Sequence, residues 1–108
     1  MLIRCVIAIS MLCSLAATGV AQTQGDAAKI FKANCALCHG VDGSGNTGVG
    51  KSLHAPDLRS PETQKQSDAA LTEVITNGHD KMPAFGAKLK PEDVTKLVAF
   101  IRTLAAKK

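Results

Sequence analysis

Cys35-Ala36-Leu37-Cys38-His39 is the stretch on which the rest of the chain turns. A Cys-x-x-Cys-His run reads as an attachment site for c-type haem. Residues three apart share a helix face, so both sulfurs can reach one edge of a flat ring and bond its two vinyl groups. The next residue is then aimed at the ring centre, where an imidazole binds iron. Two rival readings need features the chain lacks. A thioredoxin-like redox motif follows a strand in a βαβ unit, and no strand pattern precedes Cys35. A structural zinc site needs four ligands at usable spacing. His54 would be the fourth, but the adjacent Cys38 and His39 suit one small ion poorly.

Upstream of the motif, Ala27, Ile30, Phe31 and Asn34 fall at helical spacing, which predicts a helix over Gly25 to Asn34. Asp26 suits its first turn, where the helix dipole favours an acid. Downstream, Gly40 to Gly50 holds five glycines in eleven residues. The formal G-x-G-x-x-G over Gly43 to Gly48 is no dinucleotide site, since that motif sits between a strand and a helix. The stretch reads instead as a flexible surface loop passing the edge of the haem.

His54-Ala55-Pro56-Asp57-Leu58 follows. An iron-bound histidine usually donates its other ring N–H to a carbonyl or carboxylate, and this rigid loop can carry that acceptor. Leu58 is placed to pack on the ring, and His54 reads as a surface or propionate-facing histidine. Ser67 can cap a second helix running to Asn77, with Ala70, Leu71, Val74 and Ile75 as its buried stripe and Gly78 as its stop. His79 to Gly86 then forms an irregular loop around Met82-Pro83. Met82 stands between polar and proline residues and on no apolar stripe, which makes it the candidate second axial ligand. His79 is the alternative, as a bis-histidine site. The last helix runs from Pro91 to Ala105, with Val94, Leu97, Val98, Ile101 and Leu104 in the 3.6-residue period.

The chain has 108 residues, enough for one small domain. Residues 1–21 read as a secretory signal peptide: Arg4 is the positive start, Val6 to Ala17 is apolar, and Gly19-Val20-Ala21 offers small residues for cleavage. The apolar run falls short of the roughly 20 residues a spanning helix needs, so no stable membrane insertion is expected after cleavage. Residues 22–108 form the domain. Cleavage removes Cys5, Cys13, Met1 and Met11, leaving Cys35 and Cys38 as the only cysteines and Met82 as the only methionine. It also removes Arg4, so 12 of the 13 basic residues remain against 9 acids, a net +3 that is too mild to argue for nucleic acid. With three Phe, no Trp and no Tyr, so small a domain needs a staple. A covalently fixed haem would be one.

The pieces Ile30-Phe31-Lys32-Ala33-Asn34-Cys35-Ala36-Leu37-Cys38-His39-Gly40, Ala55-Pro56-Asp57-Leu58, Asn77-Gly78, Lys81-Met82-Pro83-Ala84-Phe85-Gly86 and Leu97-Val98-Ala99-Phe100-Ile101 stand together in one order. In this the chain resembles the class I monohaem c-type cytochromes, especially the small soluble bacterial ones. The resemblance spans about residues 25 to 106. It implies an all-α cytochrome c fold with three main helices wrapped around one covalent haem c. It implies thioether bonds from Cys35 and Cys38, His39 as the proximal iron ligand and Met82 as the distal one. It also implies that the Pro56 carbonyl receives the His39 N–H, and that Phe31 and Leu97 to Phe100 mark the crossing of the first and last helices. The family often has Gly where Ala27 stands, Tyr or Trp where Phe100 stands, and a capping Ser or Thr where Lys90 stands. The function implied is a periplasmic, monomeric electron carrier, with no catalytic residues, docking transiently on redox proteins of a respiratory or dehydrogenase system. The alternative is a haem-based gas sensor or small peroxidase-like enzyme with a displaceable distal ligand.

Overall fold

The computed structural model describes residues 19–105. Residues 1–18 of the expected signal segment lie outside the described residues, while 19–21 belong to the first described helix. Among the described residues six helices follow in order: α1 (Gly19–Asn34), α2 (Ala36–His39), α3 (Gly48–Leu53), α4 (Pro61–Gln64), α5 (Asp68–Asn77) and α6 (Pro91–Leu104). There is no strand among the described residues, only one isolated antiparallel bridge between His79 and Met82. The fold is all-α, with α1, α5 and α6 as its three long helices, as the sequence implied.

The helix α1 is already formed upstream of Gly25, the start that the apolar spacing predicts. A lone glycine in a helix costs only about 1 kcal/mol, and Gly25 has no neighbour within 4 Å, so nothing stops the helix there. Its inward face carries Ala27 and Phe31, both 2% exposed. They meet α6, whose Val94, Leu97, Val98, Ile101 and Leu104 are all buried. The Phe31 and Phe100 rings lie 5.1 Å apart at 48°, a tilted contact that suits the opposite charges of ring edge and ring face. The helix crossing implied by the resemblance is therefore present, with the Ala27 methyl accommodated inside it.

The helix α5 packs on the other flank of α6 and buries Leu71 and Ile75. Ser67 caps it by accepting from the Ala70 N–H at 3.0 Å. The start of α6 lacks a capping hydroxyl because Lys90 stands there. Asp93 compensates by accepting from the Lys90 N–H at 3.3 Å, and Pro91 supplies a first helical residue with no N–H to satisfy.

The stretch from Gly40 to Gly50 corrects the expectation of a flexible surface loop. Gly40, Gly43, Gly45 and Gly50 are buried, and the end of the stretch enters α3. A Cβ on Gly50 would run into the Cys38 carbonyl oxygen and come within 2.5 Å of the Gly45 oxygen. Gly45, at φ +75, donates its N–H to the His39 carbonyl at 2.6 Å. These glycines are where backbone crosses backbone, a constraint that leaves no mark in side-chain periodicity.

Candidate functional site

The site grows from the break between α1 and α2. The Cys35 N–H still bonds the Phe31 carbonyl at 2.8 Å, so the helical path of α1 delivers the first thiol directly. Cys38 and His39 complete the next turn, and the His39 N–H bonds the Cys35 carbonyl at 2.9 Å. Thr47 ties off this turn. Its hydroxyl donates to the Leu37 and Cys38 carbonyls at 2.8 and 3.1 Å, and accepts from the Gly50 N–H at 2.8 Å. One side chain thus satisfies the open end of α2 and the open start of α3.

His39 is buried, with Nδ1 3.2 Å from the Pro56 carbonyl oxygen. Loss of hydration pushes its pKa below the ordinary histidine value, an effect the Pro56 hydrogen bond partly offsets. The ring is therefore neutral at neutral pH. A carbonyl can only accept, so Nδ1 carries the proton and Nε2 keeps its lone pair. This is the state in which imidazole binds a metal.

The acceptor loop is itself pinned. Asp57 accepts from the Arg59 backbone N–H at 2.9 Å and from its guanidinium at 3.0 and 3.1 Å. Those bonds hold the Asp57 carboxyl below the usual carboxylate range. The buried Thr63 hydroxyl donates to the Asp57 carbonyl at 3.2 Å, and the Gln64 amide donates to the Leu58 and Ile101 carbonyls at 2.8 and 3.0 Å. Arg102 of α6 reaches the Gln64 and Gln66 carbonyls at 2.9 and 2.6 Å. Gln64 and Arg102 together clamp the acceptor loop and α4 to α6. The sequence signals this only at Ser60-Pro61, a cap followed by a first-turn proline.

Cys35, Cys38, His39, Pro56, Leu58 and Met82 all line one cleft of about 960 Å³, whose apolar walls include Leu71, Ile75, Leu97 and Ile101. Every site residue expected from the sequence is thus brought to one place. The size lies at the upper end of ligand pockets, roughly 300–1,000 Å³. The thiols are not joined to each other. Burial, with Cys38 alongside, pushes the Cys35 thiol up to about 11. Among the described residues, no three His, Cys, Asp or Glu side chains gather into a metal cage.

Two candidates remained for the second iron ligand, and the structure treats them differently. Met82 is half-buried and packs against the core. His79 borders the cleft, but its side chain is 71% exposed and its Nε2 lies 3.2 Å from the Asp80 carboxylate. His54 is exposed, in the left-handed region at φ 57, at the C-terminal cap of α3. An apolar cleft with two thiols on one helical turn, a neutral imidazole and a thioether fits a covalently held haem.

A helical domain built around such a cleft is a c-type cytochrome domain, and comparison with known proteins agrees. The family model described as cytochrome c oxidase, cbb3-type, subunit III matches residues 22–101, and the chain belongs to this family of c-type cytochromes. It is 43% identical over 75 residues to cytochrome c6 of Anabaena variabilis, covering 68% of this chain and 83% of that protein. It is 36% identical over 90 residues to the cbb3-type cytochrome c oxidase subunit FixP of Azorhizobium caulinodans, covering 82% of this chain and 30% of FixP. The solved KustC0563 c-type cytochrome superposes with a TM-score of 0.68 at 38% identity, over 73% of this chain and 96% of that one. The chain is a haem-based electron-transport protein whose cofactor is a covalently bound c-type haem.

Proposed function

We propose that Cys35 and Cys38 hold the haem by thioether bonds and that His39 and Met82 are its axial ligands. In this reading the protein is a monomeric, exported electron carrier of the periplasm with no substrate chemistry of its own. The bound haem iron supplies a one-electron couple. The chain supplies covalent capture, an oriented imidazole, a soft thioether that favours the ferrous state, and an apolar wall that excludes water. The observation that carries the reading is the buried His39, fixed through Nδ1 to Pro56, in the same cleft as the half-buried Met82.

Exposed apolar surface supports transient docking. Leu37 and Val41 are 72% and 71% exposed, Val49 and Leu53 both 38%. Leu37 and Leu53 border the cleft itself. Lys51 lies on α3 between Val49 and Leu53, and Lys81 borders the cleft beside Met82. An apolar patch with basic neighbours suits brief contact with a redox protein whose surface is apolar and acidic. The likeness to an oxidase subunit supports a respiratory partner. Among the described residues no helix is long and apolar enough to cross a membrane, and the signal-like residues 1–21 support export.

The test is a pair of variants. Met82→Ala should keep the covalent haem, lower the reduction potential and admit carbon monoxide to the ferrous iron. His79→Ala should do neither of the last two. The opposite pattern would assign the ligand to His79, and carbon monoxide binding by the parent protein would favour a sensor.

A further inference from the structure

The backbone around residues 78–86 is tightly specified. Gly78 ends α5 at φ +79, and two residues later Asp80 sits at φ 49, in the left-handed region that side chains other than glycine rarely adopt. Between them starts a tight turn. The His79 N–H bonds the Met82 carbonyl at 3.1 Å and the Met82 N–H bonds the His79 carbonyl at 2.8 Å. A second clip follows: the Phe85 N–H bonds the Ile75 carbonyl at 2.9 Å and the Gly86 N–H bonds the Thr76 carbonyl at 3.0 Å. Met82 is therefore strung between two backbone clips, one closing on His79 and one fastening residues 85–86 to the last turn of α5.

We infer that Gly78 and Asp80 are positioning residues for the Met82 sulfur, and that the turn they create, more than any contact of the Met82 side chain, sets how firmly the thioether is held at the iron. This rests on Met82 being the distal ligand. Two features specify the turn. A Cβ at Gly78 would lie 2.8 Å from the Met82 carbonyl oxygen and 3.0 Å from the Ala84 nitrogen, so any side chain there pushes on the ligand residue itself. Asp80 supplies the left-handed residue the turn requires, a conformation that Asp and Asn tolerate through local polar contacts and that β-branched residues resist. Strain of this kind persists only where the surroundings over-determine it, and it clusters at ligand clamps. No hydrogen bond to the Met82 sulfur is needed, since its position follows from main-chain geometry.

The test uses the haem-loaded protein and five variants: Gly78→Ala, Asp80→Val, Asp80→Gly, Asp80→Asn and Met82→Ala. Two quantities are read. One is carbon monoxide affinity of the ferrous form without denaturant. The other is the Met82 methyl proton resonance, which a haem ring above it shifts strongly upfield. Gly78→Ala and Asp80→Val should raise carbon monoxide affinity about tenfold or more and broaden or shift the methyl resonance. Asp80→Gly, which accepts positive φ freely, should restore parent behaviour, as should Asp80→Asn, which removes the carboxylate but keeps the turn.

A role in fold stability alone would lower the denaturation midpoint of Gly78→Ala and leave both readouts at parent values in native buffer. That result overturns the inference. If Asp80→Asn behaves like Asp80→Val, the carboxylate and not the backbone is responsible, and the inference also falls. If Met82→Ala leaves carbon monoxide excluded, the ligand reading fails first, and the turn variants then have no ligand to report on. If Met82→Ala admits the gas while Gly78→Ala and Asp80→Val do not, the turn inference fails by itself.

Discussion

Replacing each half of the Phe31–Phe100 contact separately should give unequal losses. Phe31 is 2% exposed and among the largest fully buried side chains, whereas Phe100 is only partly buried. Truncating a fully buried Phe to Ala costs about 3–5 kcal/mol, because the lost transfer energy is joined by a cavity that the core cannot collapse. Phe100→Ala removes less buried surface and opens the site toward solvent, so roughly 1.5–2.5 kcal/mol is expected. The rings are 5.1 Å apart at 48°, a geometry worth about 0.5–1.5 kcal/mol beyond area. The double variant should therefore lose less than the sum of the singles by about that amount. Guanidinium melts of the haem-loaded protein, followed by helical circular dichroism, measure this directly. With an unchanged slope, Phe31→Ala should lower the midpoint by about 1–2 M. Mass spectrometry should show the haem still attached, since neither ring is a site of attachment. The reasoning fails if Phe100→Ala costs as much as Phe31→Ala, or if the two losses add to within about 0.3 kcal/mol.

Three further outcomes are expected. Gly50→Ala drives a methyl into the Cys38 carbonyl and should destabilise by about 1–3 kcal/mol, the usual cost of overpacking, visible as a lower thermal midpoint. Arg102→Leu removes the guanidinium from the Gln64 and Gln66 carbonyls and from Asp68; a loss of about 1–2 kcal/mol is expected, most of it from the unpaired carbonyls and little from the exposed ion pair. Asp57→Asn should weaken the protein by less than about 1 kcal/mol at pH 7, the exposed pair being screened by solvent. The Asp57 pKa is lowered in the fold, chiefly by the Arg59 side chain, so its contribution is present above the unfolded value near 4 and is lost as pH falls through the lower folded value; the gap between parent and variant in urea melts should therefore narrow steadily as pH is taken below about 4.

Much of this could be read from residues alone because it is carried by side-chain pattern. The stripe of α6, the Ser67 cap and the Gly78 stop are local signals, and they fell where the residues placed them, while of the expected α5 stripe Leu71 and Ile75 are buried and Ala70 and Val74 half-buried. The attachment motif is equally local, and the six site residues converge on one cleft as their types suggested. What stayed hidden was carried by main chain. Nothing in the pattern of Gly45 and Gly50 distinguishes a slack linker from a junction of crossing backbones, since the informative atoms belong to residues 38, 39 and 55. The cap at Lys90 shows the converse: the expected hydroxyl is missing, yet the Asp93 N–H finds the Lys90 carbonyl at 3.0 Å and the Asp93 carboxylate takes up the Lys90 N–H. Long-range polar ties such as Gln64 to Ile101, 37 residues apart, have no sequence signature at all.

The oxygen that orients His39 is a main-chain atom. A point mutation at position 56 exchanges the pyrrolidine ring but cannot delete the carbonyl. The imidazole is thereby insulated from the most direct form of genetic damage, loss of its hydrogen-bond acceptor. Drift reaches it at one remove, through neighbours such as Thr63, Gln64 or Arg59, each of which shifts the loop by a fraction and not by removal. Under the proposed ligation, neutral divergence in this lineage would retune the electron affinity of the iron in small steps. Abrupt jumps should instead trace to Met82, where the candidate donor is a side chain and a single codon can abolish it.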